Sequence, residues 1–563
     1  RDCDLIIEAI AERMDWKQDL YKKIAPFVSP TAVLASNTSG LGINKLSDVL
    51  PEELRHRFCG VHFFNPPRYM HLAELIPARG TDPAVLEGLE TFLTTTLGKG
   101  VVYAKDTPNF IGNRIGVFSI LSVIHHTQQT GLGFDEVDAL TGPLLELERQ
   151  FLDNSCDIEK WFRTQWQDHM PPFYGSTDLR NSGFKLAPVD LNLFPGGFNN
   201  LNDAFMPLCV QAAQAAIERI CPDASKLLLI PENHTRNQFY LQNVAKLVSI
   251  LRLTGLDVRI GSLLPEIAEP TVLELANGAT LTLEPLRRSG SRLGLDNFDP
   301  CAVLLNNDLS AGIPQVLKGL DEQWLIPPLH AGWHKRRKSK HAECYDRVAR
   351  EFASAIGIDP WRINPEFGVC GQINFQERTG EECLAGQVDS LLTRIRAKYK
   401  EYGVTDEPFV VVKADAGTYG MGVMTVKDAS EVVGLNRRQR NKMAVVKEGL
   451  QVHEVIIQEG VHTFETVEDG VAEPVVYMMD HYVVGGFYRV HTERGRDENL
   501  NAPGMHFKPL AFDTSGTMPD AAQGPDAPPN RFYAYGVVAR LALLAASVEI
   551  EETAPVEEDA LAG

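Results

Sequence analysis

Three glycines, Gly417, Gly420 and Gly422, fall within six residues shortly after Lys413. A hairpin turn needs only one or two glycines. Three at this spacing let backbone approach a ligand closely, with amides converging on a phosphate and the lysine adding a positive charge. The alternative is a loose glycine-rich hairpin. A second pair with chemical potential is His62 and Glu74, each at or near the end of an apolar run. A carboxylate hydrogen-bonded to an imidazole fixes its tautomer and raises its basicity, which makes a general base for an alcohol proton. The competing reading is a structural histidine beside an unrelated surface glutamate.

Other stretches carry weaker signals. The turn at 232–237 (ENHTRN) follows an apolar run and opens a long amphipathic segment. Helix N-termini collect anions, so Arg236 and Asn237 are candidate anion ligands, while His234 reads as a hydrogen-bonded structural residue. CAVLLNNDLS repeats the pattern with Asn306, Asn307, Asp308 and Ser310. Arg180, Lys185 and Asn199 stand in a stretch dense in asparagine and glycine, as carboxylate ligands or as plain turn residues. HAGWHKRRKSKH (330–341) concentrates Lys335, Arg336, Arg337, Lys338 and Lys340. Such a run is a solvated helix face or an attractor for anionic groups.

The elements that must position these groups follow from periodicity. Val410 to Val412 and residues 423–426 read as strands flanking the glycine loop. From residue 1, short apolar strands alternate with helical segments, which indicates a parallel-sheet α/β unit; Asp82 is the expected N-cap of a helix starting at Pro83. KLLLIPENHTRNQFYLQNVAKLVSILRLTGLDVRIGSL reads as a βαβ unit. A chain of 563 residues is too long for one core. Its net charge of −20 argues against nucleic-acid or anionic-membrane binding. Nine cysteines without a C-x-x-C pair argue against a disulfide scaffold or structural zinc and fit a reducing cytoplasm. The apolar tail YGVVARLALLAASVEI, shorter than a membrane span, reads as a packed terminal helix. The first residues do not resemble a signal peptide.

Five long strings, LNLFPGGFNNLN (191–202), LLIPENHTRNQFY (228–240), IPPLHAGWHKRRKSKH (326–341), KADAGTYGMGV (413–423) and RDENLNAPGM (496–505), carry a resemblance. From about residue 141 onward the chain resembles the proteobacterial glutamate–cysteine ligase of ATP-grasp fold. The resemblance implies an ATP-grasp-like α+β ligase with a preceding α/β substrate domain. It implies that ATP phosphorylates the γ-carboxylate of L-glutamate and that the amine of L-cysteine displaces the phosphate. The products are γ-glutamylcysteine, ADP and phosphate, the first step of glutathione biosynthesis. Lys413 and the glycine loop would cover the phosphates, and Gln458 and Glu459 would hold the adenine. Arg489 would neutralise the transferring phosphoryl group. Asp480, Glu498 and Asn501 would bind Mg2+, with Asn499 a competitor. Arg236, Asn237 and Asn199 would hold glutamate.

The strings ASNTSGLGINKLS, GVHFFNPPRYMHLAELIPA and KDTPNFIGNRIG resemble the 3-hydroxyacyl-CoA dehydrogenase family. This resemblance implies that His62 takes the hydroxyl proton and Glu74 orients it. Ser36 and Asn113 would contact the substrate and its reacting oxygen, and Glu8 would approach the ribose and nicotinamide side of NAD. The family's NAD site opens with a strand, a G-x-G-x-x-G turn and a helix N-terminus. No such string precedes Arg1, so the expectation is an incomplete Rossmann-type parallel sheet with open apolar edges and no dehydrogenase activity.

The string ALTGPL (139–144) fits either family. The expected organisation is a partial NAD-binding domain over 1–106 and a truncated first helix of the dehydrogenase C-terminal domain over 107–140. A ligase substrate-binding part over 141–400 and a nucleotide-binding part over 401–563 follow. A join without a Pro/Gly/Ser linker reads as an artificial or mis-assembled fusion rather than a natural bifunctional enzyme. Two other functions stay open. One is an NAD-dependent oxidoreductase of fatty acid β-oxidation; the other is a non-catalytic, oligomer-forming assembly through the open sheet edge.

Overall fold

The computed structural model describes residues 3–64, 67, 71–111, 113, 146–417, 422–444, 451–509 and 532–555. The chain divides into two compact units, Arg1–Leu140 and Thr141–Gly563. The division falls within the string expected to hold the join.

In the first unit, strand β1 (Leu5–Glu8), helix α1 (Met14–Ile24), β2 (Val33–Ser36), β3 (Phe58–Phe63), β4 (Leu72–Pro77), helix α2 (Pro83–Thr91) and β5 (Gly100–Tyr103) build one sheet of order β1-β2-β3-β4-β5. Alternate residues face opposite sides. Leu34, Phe58 and Ile76 pack with Tyr21 and Phe110 on one face, and Ala35, Cys59 and Leu75 pack with Leu86 and Leu89 on the other. Asp82 caps α2, its Oδ1 accepting from the Ala84 amide at 2.9 Å. The expected parallel sheet needs correction. β1, β2 and β3 are parallel, but β3 and β4 run antiparallel. Residues 64–71 are too few for the crossover that a parallel pair requires. Among the described residues β1 and β5 are the outer strands, and Ile7 and Val102 are exposed there.

The second unit runs α3 (Ser155–Asp168), β6 (Tyr174–Asn181), β7 (Leu186–Asn192), α4 (Met206–Ile220), β8 (Lys226–Pro231), α5 (Gln238–Leu253) and β9 (Asp257–Ser262). Then come β10 (Thr271–Glu274), β11 (Thr280–Pro285), β12 (Arg287–Ser289), β13 (Arg292–Gly294), β14 (Ala302–Asn306), β15 (Trp324–Ile326), α6 (Lys338–Ile356), β16 (Phe367–Gly371) and α7 (Glu381–Glu401). The last stretch holds β17 (Val410–Ala414), β18 (Val423–Val426), β19 (Glu454–Glu459), β20 (Thr466–Val467), β21 (Gly470–Met479), β22 (Tyr482–His491), β23 (His506–Pro509) and α8 (Phe532–Glu552).

Three sheets matter. An α/β sheet of order β10-β11-β9-β8-β14-β15 contains the expected βαβ unit β8–α5–β9 with parallel strands. An antiparallel sheet of order β23-β22-β21-β6-β7, with β20 beside β21, forms a second layer. A four-stranded antiparallel sheet of order β16-β19-β17-β18 forms a third. A cut at 400/401 therefore does not separate sheets: β16 pairs with β19, and β6 pairs with β21. Strand pairing joins what sequence order keeps apart.

Helix α8 is buried nearly all round, as a central core helix must be. Its 21 residues are long and apolar enough to cross a membrane, so the tail is not too short for a span. In this fold it instead packs on the strands of the second layer. Arg540 donates to both oxygens of Glu159 at 2.9 and 2.8 Å, and Glu549 is sequestered with Arg336.

Candidate active site

Two antiparallel sheets enclose a cleft of about 900 Å³, open solvent included. Lys413, Ala414 and Gly417 from β17 and its turn, Thr425 from β18, and Gln458 from β19 line one wall. Asp178 and Arg180 (β6), Asp190 (β7), Glu473 (β21) and Arg489 (β22) line the other, with Glu498 and Asn501 at the mouth.

Lys413 is central. Its Nζ donates to the Val189 carbonyl and to Gln458 Oε1, both at 2.7 Å. Burial lowers the ammonium pKa to about 8, against the pull of Asp190. Gly417 (φ 101°) and Gly422 (φ 62°) flank the turn in the left-handed region that side chains disfavour. Gly420 lies outside the described residues.

Facing Lys413 is a four-membered charge network. Arg489 Nη1 donates to Asp178 Oδ2 at 2.9 Å and to Glu473 Oε1 at 2.5 Å. Arg180 Nε donates to Glu473 Oε2 at 3.0 Å. Burial would push the Glu473 carboxyl up, but Arg180 and Arg489 outweigh it and hold the group below the usual range. Burial pushes Asp178 up, with Glu473 adding to it and Arg489 opposing. The same burial disfavours charge on Arg489, but Asp178 and Glu473 overcome it and keep the guanidinium firmly protonated. Among the described residues its buried Nε has no acceptor. Arg180 spends its remaining donors on the carbonyls of Val461, Arg496 and Glu498. It shapes the loop that carries Glu498 and is not free to hold a substrate carboxylate.

Several expected ligands lie elsewhere or are already engaged. Asp480 sits in the β21–β22 turn at φ 52°, paired with Arg219 at 2.9 Å and His481 at 2.6 Å. It lies seven residues along β21 from Glu473, about 23 Å at strand rise, so it is no ligand of this cleft. The Glu459 carboxylate is buried, taking hydrogen bonds from Lys185 Nζ at 2.6 Å, the Glu366 amide at 2.9 Å and Trp361 Nε1 at 3.1 Å. Its side chain is thus a structural anchor; burial holds Lys185 below the usual ammonium range and Glu459 above the usual carboxylate range. Asn237 caps α5, accepting from the Tyr240 amide at 3.2 Å, and both it and Arg236 are exposed outside the cleft. Asn199 contacts Asn200 and also lies outside it. A polar turn after a strand marked the end of a sheet, but not which end faces the ligand. Gln458, Glu498 and Asn501 do line the cleft; Glu498 accepts from the Gly495 amide at 2.7 Å, which holds its carboxyl below the usual range.

The basic run divides by neighbour. Arg336 is buried and donates to both oxygens of Glu549 at 2.9 and 3.0 Å, and His341 Nδ1 meets Glu549 at 3.0 Å. Burial would raise the Glu549 pKa, but Arg336 and His341 bring it to about 2. Lys340 pairs with Glu552 at 2.9 Å. Only Lys338 turns toward the cleft, where its Nζ donates to Asp190 at 2.8 and 3.0 Å.

In the first unit, His62 and Glu74 are direct cross-strand neighbours, with Nδ1 and Oε2 2.7 Å apart and both side chains buried. Antiparallel register makes the pair, so Glu74 is not an unrelated surface acid. Glu74 Oε1 accepts from the Ile111 amide at 2.9 Å, and Phe64 and Phe110 pack on the imidazole. Glu8 is already engaged by Lys17 (2.7 Å), Tyr21 (2.6 Å), Ser36 (2.9 Å) and the Ile10 amide (2.7 Å). Glu8 and Ser36 thus belong to one buried network, and the Glu8 side chain is not directed at a dinucleotide. Asn113 Nδ2 donates to the Ser39 carbonyl at 3.0 Å.

Asp178, Asp190 and Glu473 were not singled out from sequence. The signal was present: Asp178 and Arg180 are two apart on a strand, hence on one face. The alternation was hidden among turn-forming residues.

Comparison with known proteins agrees with this division. The family model described as glutamate-cysteine ligase matches residues 148–550, and that of the 3-hydroxyacyl-CoA dehydrogenase NAD-binding domain matches residues 1–107. A crystal structure of a protein described as a gamma-glutamylcysteine synthetase, from Methylobacillus flagellatus KT, is 69% identical with a TM-score of 0.68. It covers 74% of this chain and 98% of its own. A protein described as a 3-hydroxyacyl-CoA dehydrogenase, from Deinococcus radiodurans, is 47% identical over 197 residues, 35% of this chain and 56% of its own length. Human mitochondrial hydroxyacyl-coenzyme A dehydrogenase is 36% identical over 135 residues, 24% of this chain and 42% of its own. The chain thus spans about half the length of these dehydrogenase relatives. With that model matching most of its length, the chain belongs to the glutamate-cysteine ligase family, with a dehydrogenase-like region at its N-terminus.

Proposed function

We propose that residues 141–563 form an ATP-dependent glutamate–cysteine ligase of ATP-grasp type. The observation that carries this reading is the convergence of Lys413 and Gly417, from one sheet and the turn after its strand, opposite Asp178, Glu473 and Arg489 on another, with Glu498 and Asn501 from the loop after β22. ATP lies between the two sheets, with Lys413 and the backbone near Gly417 and Gly422 at its phosphates. Arg489 stabilises charge on the phosphoryl group as it passes to the glutamate γ-carboxylate. The cysteine amine then attacks the acyl phosphate, forming the amide bond and expelling phosphate.

Mg2+ suits the same site. Among the described residues no three His, Cys, Asp or Glu form a cage. A phosphate-bridging Mg2+ needs only one or two carboxylates besides the nucleotide oxygens. Glu498 and Asn501 would offer hard oxygen donors for it, whereas Asp480, and Glu473 with both oxygens paired to arginines, would not. When bound, the ion supplies charge neutralisation at the phosphates.

A second reading concerns the N-terminal unit alone. The His62–Glu74 pair supports abstraction of a hydroxyl proton from a 3-hydroxyacyl-CoA, for which NAD would supply the hydride acceptor.

ADP release by the full chain with glutamate, cysteine and ATP tests the first reading. Lys413→Ala is expected to reduce it by about 100-fold or more. NADH formation from 3-hydroxybutyryl-CoA, dependent on His62 and with no ADP release, would overturn it.

A further inference from the structure

A second, partly open cavity, about 540 Å³ with open solvent included, adjoins the cleft, sharing Val189, Asp190, Lys338, Lys413 and Gln458 with it. Its other walls include Trp333, Tyr345, Pro365 and Ile456, which suit an aliphatic chain. Of the charged groups around it, Arg336 and His341 are committed to Glu549. That leaves two cations, Lys338 and Lys413, and one anion, Asp190.

The arrangement is built rather than incidental. Lys338 Nζ sits 4.6 Å above the Trp333 ring while donating to both Asp190 oxygens. The start of α6 is tied to the end of β17, with the Lys338 amide donating to the Asp415 carbonyl at 2.8 Å. Ser339 gives two more bonds of 2.7 Å to the Asp415 carboxylate. Lys338 and Lys413 are thereby held in a set relation. Burial opposes ionisation of Asp190, but Lys338 and Lys413 keep its carboxyl below the usual range.

Resting on the ligase reading, we infer that this cavity is the glutamate subsite, with Lys338 receiving the α-carboxylate, Asp190 the α-ammonium and Lys413 the γ-carboxylate at the wall shared with the nucleotide cleft. The charges match glutamate one for one. Cysteine, with one carboxylate and one ammonium, would leave a lysine without an anion. A bidentate or close charge-assisted contact outweighs a neutral one about twofold, so glutamate is the better occupant. In the free protein Lys338 and Asp190 satisfy each other, and glutamate exchanges that pair for two of its own. The γ-carboxylate then meets the phosphoryl donor beside Lys413 without crossing solvent.

The test compares Lys338→Met and Asp190→Asn with the unaltered chain, varying one substrate at a time. Glutamate KM is expected to rise at least tenfold in both variants, with KM for cysteine and ATP changed less than twofold. Lys338→Arg, which keeps the charge, should recover part of the loss, and thermal melting checks that each variant folds. An unchanged glutamate KM, or a rise confined to cysteine or ATP, overturns the assignment while leaving the ligase reading intact. If the unaltered chain releases no ADP, the ligase reading fails. Glutamate titration against tryptophan fluorescence, with Trp333→Phe as control, then decides the subsite by itself. Quenching lost in both Asp190→Asn and Trp333→Phe supports it, and no quenching in the unaltered chain refutes it.

Discussion

The two units hold their reactive groups in different ways. In the N-terminal unit, His62 and Glu74 are twelve positions apart and become neighbours through one antiparallel register. In the C-terminal unit, the cleft draws on positions from Asp178 to Asn501, carried by strands of two separate sheets. A dyad on adjacent strands is secured by backbone hydrogen bonds that exist anyway. A cleft between sheets has no such template across its gap, so side-chain contacts such as Lys413 with the Val189 carbonyl and Lys185 with Glu459 must tie its walls. Local pairing needs only adjacent strands, whereas an assembled site depends on every layer around it.

The largest expected effect would break the assembled site. Arg489→Met leaves Asp178 and Glu473 without their shared cation, and stranding buried charge costs about 3–5 kcal/mol. Urea unfolding should show that loss, and ADP release should fall more than about 100-fold. If both stay unchanged, charge pairing does not organise the cleft. A somewhat smaller effect concerns Glu549, whose folded pKa of about 2 lies below the ordinary 4.5. A depressed carboxyl stabilises the fold above its unfolded pKa and loses that contribution as pH falls from 4.5 toward 2. The loss is about 3 kcal/mol, measurable as a drop in Tm across that window that Glu549→Gln largely removes.

Smaller still is the pH response of Lys413, whose ammonium is lost as pH rises through about 8. At low ATP, ADP release should decline above that pH, approaching tenfold per unit, unless bound ATP shifts the break upward at saturation. The smallest expected effect sharpens the comparison: His62→Ala should leave ADP release within about twofold of the unaltered chain. A large fall there would show that the two units work as one.

Much of this was legible because it is local. The Val410–Lys413 strand, the glycines after it, the Asp82 cap and the βαβ unit of β8, α5 and β9 follow from periodicity and from capping or turn chemistry. Lys413, Gln458, Arg489, Glu498 and Asn501 were all found this way or by resemblance, and all line the cleft. Asp480 and Glu459 were named too, but their carboxylates are engaged by other residues, because an acid near a strand end can point to either side of a sheet. Their neighbours, Arg219 and Lys185, come from far away in the chain.

The amino-acid order alone determined the strands, the helices, the glycine-rich turn after Lys413 and the division near residue 140, since each rests on contacts within a few residues. Tertiary structure decided which acids face the cleft between the sheets and which lysine of the basic run turns toward it. It also decided that His62 meets Glu74. Those outcomes depend on strand register and on burial, and both are properties of packed neighbours that no single stretch of chain contains.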